Sequence, residues 1–307
     1  MREYKGKRVL VTGASGFIGG ALVRTLVAQE AVVFAASRSE HYSPFDNVTW
    51  LRSDLTSLQD TRRLFADSEP EVVFHLASQV LGARELEHVG TTLQANLVTA
   101  VNVMTCSTES CCERVVLAGS MEEPGEDEVP AVPSSPYAAA KWAASGYARM
   151  FHALYRTPIV VARIFMVYGP GQLDFKKLIP YVSLCLLRRE SPKVSLGARP
   201  VDWIFVEDVV EGLLALGIVS GVIGKEVELG SGVTNTVRDV VDTLVDIVDP
   251  SVEVGFGAVP PRPMETTRVA SVRRTAALTG WEPVTDLRPG LERTVDWYRR
   301  HAEELDE

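Results

Sequence analysis

Among the eight tyrosines of this chain, Tyr137 alone is followed four residues later by a lysine, Lys141. Residues spaced by four lie on one face of an α-helix, and Pro136, just before the tyrosine, is typical of a helix start. A lysine ammonium beside a tyrosine hydroxyl lowers the pKa of the hydroxyl and allows it to transfer a proton. We therefore expect the pair to be catalytic, although a solvated helix face could show the same spacing.

Ser120 follows the apolar run Val115–Ala118, which is predicted to be a strand. Ligands bind at the carboxyl ends of strands in parallel α/β sheets, so the Ser120 hydroxyl can bond a substrate carbonyl or alcohol. With the tyrosine–lysine pair, it predicts a site that moves a proton to or from an oxygen while a hydride passes between a carbon and a nicotinamide. Glu122 is a candidate catalytic base, or it belongs to a solvated acidic loop, 122–128.

A glycine-rich turn lies between the first predicted strand and the first predicted helix. Its glycines stand where the backbone must turn tightly and approach a pyrophosphate at the helix N-terminus. This context predicts dinucleotide binding, whereas glycine-rich turns outside it are common. The cofactor-binding residues predicted in this turn are Gly13, Ser15, Gly16, Phe17, Ile18 and Gly19.

The end of the second predicted strand bears on the choice between NAD and NADP. An acidic side chain at this position bonds the ribose hydroxyls of NAD, whereas this chain has Ser37, Arg38 and Ser39. A guanidinium can donate two hydrogen bonds to the 2′-phosphate of NADP. We therefore expect NADP(H) to be preferred over NAD(H). In the alternative, Arg38 is solvated and Glu40 or another group meets the ribose.

The ends of the third and fourth predicted strands contribute further residues to the expected cofactor site. A carboxylate after the third strand can accept a hydrogen bond from the adenine amino group. Small residues after the fourth strand let the backbone pass close to the cofactor. His75, in that apolar strand end, is predicted to be a hydrogen-bonded structural histidine. The cofactor-binding residues predicted here are Asp54, Leu55, Leu76, Ala77, Ser78 and, on the next helix, Asn96.

Short apolar runs alternate with segments of helical period over about 160 residues. Unbroken apolar runs predict strands covered on both faces, and hence a parallel sheet. The alternation predicts an α/β, Rossmann-type doubly wound fold. Besides a third strand that ends at 53–55, the predicted strands are Arg8–Thr12, Ala31–Ala36, Val72–Leu76, Val115–Ala118 and Ile159–Arg163. The predicted helices are Phe17–Gln29, Thr56–Ala66, Thr91–Ser110 and Pro136–Tyr155.

The alternation loosens after residues 168–171, where prolines become frequent. Residues 1–165 are predicted to form the dinucleotide-binding domain, with 201–230 returning to its sheet. Residues 166–200 and 231–307 are predicted to form a smaller, discontinuous C-terminal domain.

The composition excludes several classes of protein. With 307 residues, 46% of them hydrophobic and 23% charged, the chain is neither disordered nor fibrous. A net charge of −9 without a basic run makes nucleic acid an unexpected partner. No apolar run reaches the roughly 18 residues that span a bilayer, so we expect a cytoplasmic protein with no membrane partner. The four cysteines lack metal-ligand spacing, so we expect reduced thiols and no metal.

Over nearly its full length, the sequence resembles the extended short-chain dehydrogenases/reductases of the NAD-dependent epimerase/dehydratase family. The resemblance implies a nucleotide-sugar substrate, with its nucleotide held by the smaller domain. It also implies a homodimer joined through the helices Thr91–Ser110 and Pro136–Tyr155. Besides the glycine turn, Ser120 and the tyrosine–lysine pair, the shared residues are Asp54, His75-Leu76-Ala77, Asn96, Tyr168-Gly169-Pro170, Asp202–Val209, Gly230-Ser231-Gly232, Arg262-Pro263 and Gly280-Trp281-Glu282-Pro283.

Departures from the family pattern concern the reaction. In sugar 4,6-dehydratases, Asp-Glu follows the serine or threonine and supplies the acid and base of water elimination. Here Met121 takes the place of the acid, and methionine cannot protonate a leaving hydroxyl. Met166 replaces an asparagine, and Val201 replaces an arginine. The predicted substrate contacts are Gln79, Ser120, Met121, Met166, Arg199 and Arg262, of which Arg262 matches the phosphate-binding arginine of the family.

These observations lead us to expect NADP(H)-dependent reduction of a nucleotide-activated keto sugar, of the 4-ketoreductase type. A C4 epimerase that retains its cofactor is the alternative, and a dehydratase that relies on Glu122 alone is a third. A cofactor-binding protein without turnover would be expected to lose Tyr137 or Lys141, and this chain keeps both.

Overall fold

The computed structural model describes residues 3–41, 45–125, 130–260, 264 and 266–302. Arg262, predicted to bind phosphate, lies outside the described residues. Within the described ranges, no helix is both long and apolar enough to cross a membrane. All four cysteines are free thiols.

The apolar runs of the sequence become buried strands. Strands β4 and β5 are buried at every position, as expected for strands that are covered on both faces. The strands are β1 (Arg8–Thr12), β2 (Val32–Ser37), β3 (Val48–Arg52), β4 (Val72–His75), β5 (Arg114–Ser120), β6 (Ile159–Ile164), β7 (Met166–Tyr168), β8 (Lys193–Val194), β9 (Pro200–Phe205), β10 (Glu226–Leu229), β11 (Thr234–Thr236) and β12 (Gly255–Phe256).

The predicted helix Thr91–Ser110 is divided by a π-helical turn, Gln94–Val98, which lies between α3 and α4. Helix α5 has the predicted bounds, with Ser135 as its N-cap and Pro136 in its first turn. The α-helices are α1 (Phe17–Ala28), α2 (Leu58–Ser68), α3 (His88–Leu93), α4 (Thr99–Glu109), α5 (Pro136–Tyr155), α6 (Leu178–Leu187), α7 (Val206–Ile218), α8 (Val237–Val248), α9 (Val272–Thr279) and α10 (Leu287–Arg300).

The main sheet has seven strands in the order β10-β6-β5-β4-β1-β2-β3. Strand β1 pairs in parallel with β2 on one side and with β4 on the other. The chain order reverses between β1 and β4, and the carboxyl ends of strands at such a reversal form a crevice for ligands. The predicted α/β, Rossmann-type fold is confirmed.

One hydrophobic core joins this sheet to the helices that cover it. Leu10 of β1 and Leu117 of β5 pack in it with Leu64 of α2, Met104 of α4 and Phe151 of α5, all of them buried. Helix α5 is thereby fixed against the strand that ends at Ser120.

The chain divides into two compact units. The first unit comprises 1–164, 210–228 and 274–281 and contains most of the seven-stranded sheet. The segment 274–281 was expected in the other domain. Its inclusion is explained by the buried Thr275, whose hydroxyl donates a 2.8 Å hydrogen bond to the Glu228 carbonyl.

The second unit comprises 165–209, 229–273 and 282–307 and has its own core. The expectation that residues 201–230 return as a whole to the main sheet is wrong. Strand β9 instead lies between β7 and β11 in a separate three-stranded sheet, because its side chains Val201, Trp203 and Phe205 pack into the core of this unit. Only the end of that segment, strand β10, joins the seven-stranded sheet.

Candidate active site

The glycine-rich turn connects β1 to α1 in a conformation that only glycine allows at two of its positions. Gly13 has φ +70°, and a Cβ there would lie 2.7 Å from the Ala77 backbone nitrogen. A Cβ on Gly19 would collide with the Gly13 carbonyl oxygen. The turn can therefore reach the end of β4 only with glycine at these positions.

Helix α1 begins at this turn without a side chain to cap it. Gly16 is its N-cap, so the first backbone N–H groups of the helix have no side-chain acceptor. These donors and the positive end of the helix dipole suit a pyrophosphate. The turn fits a dinucleotide cofactor, which the backbone of Ser15, Gly16, Phe17 and Ile18 would hold.

The residues after β2 carry no carboxylate at the strand end. Ser37 is the last residue of β2, and its hydroxyl donates to the Ser39 carbonyl within the following turn. Arg38 is exposed there. After β3, Asp54 accepts hydrogen bonds from the Thr56 backbone and hydroxyl, which lower the pKa of its carboxyl, and the positive charge of Arg38 adds to this effect.

His75, at the end of β4, is buried and serves a structural role. Its Nδ1 shares a 2.8 Å hydrogen bond with the Thr12 hydroxyl, which also accepts from the Ala77 backbone N–H at 3.3 Å. Burial, aided by the positive charge of Lys141, lowers the pKa of His75 to about 3. The imidazole is therefore neutral at physiological pH and links β4 to β1.

Asn96 lies in the π-helical turn and pins the loop that follows β4. Its Oδ1 accepts from the Ser78 hydroxyl at 2.6 Å and from the Gln79 N–H at 2.9 Å. Its Nδ2 donates to the carbonyls of Gln79 and Thr92. Because the amide has two donors and two acceptor sites, this set uses its whole capacity, so Asn96 positions Ser78 and Gln79.

Ser120, Tyr137 and Lys141 come together in the first unit. Ser120 ends β5, and Tyr137 and Lys141 lie in the first two turns of α5. Lys141 Nζ donates to the Ala118 carbonyl of β5 at 2.8 Å and lies 5.9 Å from the centre of the Tyr137 ring. All three side chains are buried, so water has little access to them.

The burial of the tyrosine and the lysine shifts both pKa values. Loss of hydration raises the pKa of Tyr137, while hydrogen bonds with Ser120 and Ser78 oppose the rise. Burial lowers the pKa of Lys141 to about 8, against the opposing effect of the negative charge of Glu123. The pair is placed where a proton can be given to a ligand oxygen in a medium of low polarity.

The two residues after Ser120 are oriented by backbone hydrogen bonds. The N–H of Met121 donates to the Ile164 carbonyl, and the methionine is buried. The N–H of Glu122 donates to the Ser120 hydroxyl at 3.2 Å. Its carboxylate accepts from the Ser135 hydroxyl at 3.5 Å, so Glu122 lies at the start of α5 rather than in a fully solvated loop.

Glu123 is a residue of this site that the sequence analysis missed. It is completely buried, and its two carboxylate oxygens accept from the Ser120 N–H at 2.6 Å and from the Ser145 hydroxyl at 2.7 Å. It was read only as part of an acidic surface run. Nothing in the sequence singles it out, because its partner Ser145 lies 22 residues later, on α5.

A model of the family described as "NAD dependent epimerase/dehydratase family" matches residues 9–230. The chain belongs to this family. The predicted resemblance and the expectation of an NAD(P)-dependent enzyme of the extended short-chain type are therefore confirmed.

Named relatives match the chain along almost its whole length. The UDP-glucose 4-epimerase of Mycolicibacterium smegmatis is 29% identical over 96% of this chain and 100% of its own length. The dTDP-glucose 4,6-dehydratase of Neisseria gonorrhoeae is 28% identical, over 97% of both chains. The solved structure of MoeE5 in complex with UDP-glucose and NAD is 29% identical and superposes with a TM-score of 0.84, over 96% of this chain and 99% of that one.

Two of the described residues that are predicted to contact the substrate belong to the second unit. Met166 begins β7, and Arg199 immediately precedes β9. Arg262 lies outside the described residues. Their contacts with a substrate stay predictions.

Proposed function

We propose that this chain catalyses NADP(H)-dependent reduction of a nucleotide-activated keto sugar at its carbonyl group. The observation that carries the proposal is the buried Ser120–Tyr137–Lys141 arrangement beside a glycine turn that fits a dinucleotide. Relatives that act on UDP- and dTDP-sugars support a nucleotide sugar as the substrate class.

When bound, the dinucleotide supplies the hydride that reduces the carbonyl carbon. Ser120 accepts a hydrogen bond from the Glu122 N–H, so its own O–H proton can be donated to the carbonyl oxygen of the sugar. Tyr137 gives that oxygen a proton as the charge on it develops. The ammonium of Lys141 stabilises the tyrosinate that remains, because the two groups share one buried face of α5.

The buried methionine favours reduction over water elimination. Elimination needs an acid to protonate the departing hydroxyl, and Met121, next to Ser120, has no proton to give. Glu122 provides a carboxylate near the site. A dehydratase in which Glu122 acts alone is therefore a third candidate function.

A preference for NADP(H) over NAD(H) is part of the proposal. The exposed Arg38 follows the last residue of β2, where a carboxylate would otherwise bond the ribose hydroxyls of NAD. Arg38 can instead donate to a 2′-phosphate. The structure of MoeE5 contains NAD, so the proposed preference for NADP(H) rests on Arg38 of the present chain and not on that relative.

A homodimer is the oligomeric state that we propose. Val89 and Leu93 are exposed one turn apart on α3, and Tyr147 and Leu154 are exposed two turns apart on α5. The two helices pack against each other, so their exposed apolar side chains can form one surface for a second copy of the chain.

The deciding experiment follows the absorbance of NADPH, and separately of NADH, when the protein meets a dTDP-4-keto-6-deoxyhexose, with the sugar products identified afterwards. We expect NADPH to be consumed in step with a reduced sugar. Flat absorbance with both cofactors would contradict reduction of that substrate.

A nucleotide-sugar C4 epimerase is the second candidate, favoured by the full-length match to a UDP-glucose 4-epimerase. An epimerase returns the hydride and consumes no reductant. Epimer formation from unoxidised nucleotide sugars without loss of NADPH would replace the proposed reductase with this function.

A further inference from the structure

We propose that Glu123 is a positioning residue of the active site. Its carboxylate ties Ser120 to helix α5, and its negative charge holds Lys141 and Tyr137 in their protonated, proton-donating forms. The activity part of this inference rests on the proposed function, whereas the charge part is tested on the titration of Lys141, independently of that function.

The carboxylate of Glu123 connects three elements of the first unit. Oε1 accepts from the Ser120 N–H at the end of β5, and Oε2 accepts from the Ser145 hydroxyl on α5. The Arg163 guanidinium of β6 lies 3.9 Å from Oε2. The strand end that carries the serine is thereby fixed to the helix that carries the tyrosine and the lysine.

The preceding glycine provides the space for this carboxylate. A Cβ on Gly119 would lie 2.8 Å from Glu123 Oε1 and 2.9 Å from a Val161 side-chain carbon. Any side chain at 119 would therefore push the carboxylate away from the Ser120 N–H. The short turn 119–123 is built around the buried acid.

The surroundings of Glu123 favour its ionised form. Both of its oxygens accept from donors, and the nearby Arg163 is positively charged. Burial raises the pKa of Glu123, but the hydrogen bond from Ser145, the charge of Arg163 and the bond from Ser120 all act against the rise. A protonated carboxyl could give its proton only to the Ser145 hydroxyl, because the Ser120 N–H can only donate.

A fixed negative charge here favours the proton-donating state of the site. It stabilises the Lys141 ammonium. Burial and the charge of Glu122 raise the pKa of Tyr137, and the charge of Glu123 adds to them, so the tyrosine keeps its proton when the ketone binds. Lys141 lies one turn before Ser145 on the same helix face, so both meet the end of β5.

Other charged or titratable groups face this site from neighbouring elements. They are Arg163 of β6, Glu226 of β10, Glu122 after β5 and the neutral His75 of β4. Arg163 is itself paired with Glu226 at 2.8 Å, so its charge is shared between two carboxylates. Glu123 is the carboxylate that raises the pKa of Lys141.

The test measures the titration of Lys141 directly. The chain has only seven lysines, so protein labelled with ¹³C at lysine Cε gives few resonances, and the spectrum of the Lys141→Met variant assigns the one from Lys141. In Glu123→Gln, the amide can keep the bond from Ser120 while the charge is lost. We expect the titration midpoint of Lys141 to fall by one pH unit or more, because the ammonium loses its stabilising charge. A midpoint within 0.2 unit of wild type would overturn the charge role.

Glu122→Gln is the matched control, because it removes the same charge one residue away. It is expected to leave the midpoint of Lys141 within about 0.3 unit of wild type. A fall of the Lys141 midpoint equal to that in Glu123→Gln would assign the effect to the total negative charge of the loop and overturn the proposal.

Glu123→Asp separates position from charge and serves as the second variant if Glu123→Gln does not fold. It keeps the charge and withdraws the carboxylate by one methylene from Ser120 or Ser145. We expect a nearly unchanged Lys141 midpoint and a kcat at least tenfold lower, with KM changed less. An unchanged kcat in an active enzyme would contradict the positioning role. If wild type reduces no keto sugar, the proposed function fails, while the Lys141 titration still decides the charge role.

Discussion

At the scale of single residues, the proposed reaction depends on the hydroxyl of Tyr137, which is buried and protonated. Tyr137 is 7% exposed and Lys141 is 4% exposed, and the Ser120 and Ser78 hydroxyls lower the pKa of Tyr137 against the larger effect of burial. Burial raises the pKa of Tyr137, so the hydroxyl carries its proton before a substrate arrives.

Replacing Tyr137 with phenylalanine removes the proton donor and leaves the ring. We expect kcat to fall by about 10²- to 10⁴-fold, the usual contribution of general acid catalysis, while binding of the dinucleotide is nearly unchanged. Steady-state kinetics and fluorescence titration with NADPH measure the two quantities. Tyr155→Phe, at the exposed end of the same helix, is the control and should retain full activity. Wild-type turnover by Tyr137→Phe would refute the assigned role.

Arg38 is the residue on which the cofactor preference depends. Loss of its hydrogen bonds to a 2′-phosphate in Arg38→Ala should weaken NADPH binding by about 10- to 100-fold, since hydrogen bonds to charged groups contribute about 1.5–3 kcal/mol. NADH affinity should change little. Calorimetric titration of both cofactors checks this, with the exposed Arg63→Ala of α2 as control. Equal losses for both cofactors would mean that Arg38 does not recognise the phosphate.

At the scale of elements, buried polar side chains hold the loops that follow strands. Asn96 does so from a π-helical turn, which sets its amide against the loop after β4. In the second unit, Asp202 of β9 has the same kind of role: it is completely buried and accepts from the Ser231 N–H and hydroxyl, the Gly232 N–H and the Ala270 N–H.

Asp202→Asn should destabilise the second unit. The amide nitrogen cannot accept from Gly232 and Ala270, so a partly buried and a buried donor lose their partner, at a cost of about 2–4 kcal/mol in the free energy of unfolding. Urea unfolding measures the loss. Ser231→Ala removes one side-chain bond to the same carboxylate and should cost only about 1 kcal/mol. Equal stability of the two variants would contradict this account of Asp202.

At the scale of the whole molecule, the proposed dimer depends on helices α3 and α5. Leu93→Glu and Tyr147→Glu each place a charge on an exposed apolar position of these helices. Both should shift the protein from dimer to monomer in sedimentation equilibrium, because a charge buried at an apolar interface loses its hydration. Val284→Glu, also exposed but outside both helices, should leave the dimer intact. A wild-type monomer at micromolar concentration would refute the proposal.

The sequence by itself determined the local features. The apolar runs specified β1, β2, β4, β5 and β6, because strands covered on both faces have no polar side to alternate with. The four-residue spacing and the proline placed Tyr137 and Lys141 on one face of α5, because helical periodicity is a local property. The sequence also predicted the glycine turn, because the backbone conformation of the turn excludes side chains.

Tertiary structure alone decided the features that depend on distant partners. Strand β9 is as apolar as a strand of the main sheet, and only packing against β7, β11 and the second core determines which sheet it joins. Glu123 stands next to Glu122 in one acidic run, yet Glu122 is only half-buried. Glu123 is buried because Ser145, 22 residues later, supplies a hydrogen bond that makes burial of a carboxylate affordable. A partner so distant in sequence leaves no periodic signal.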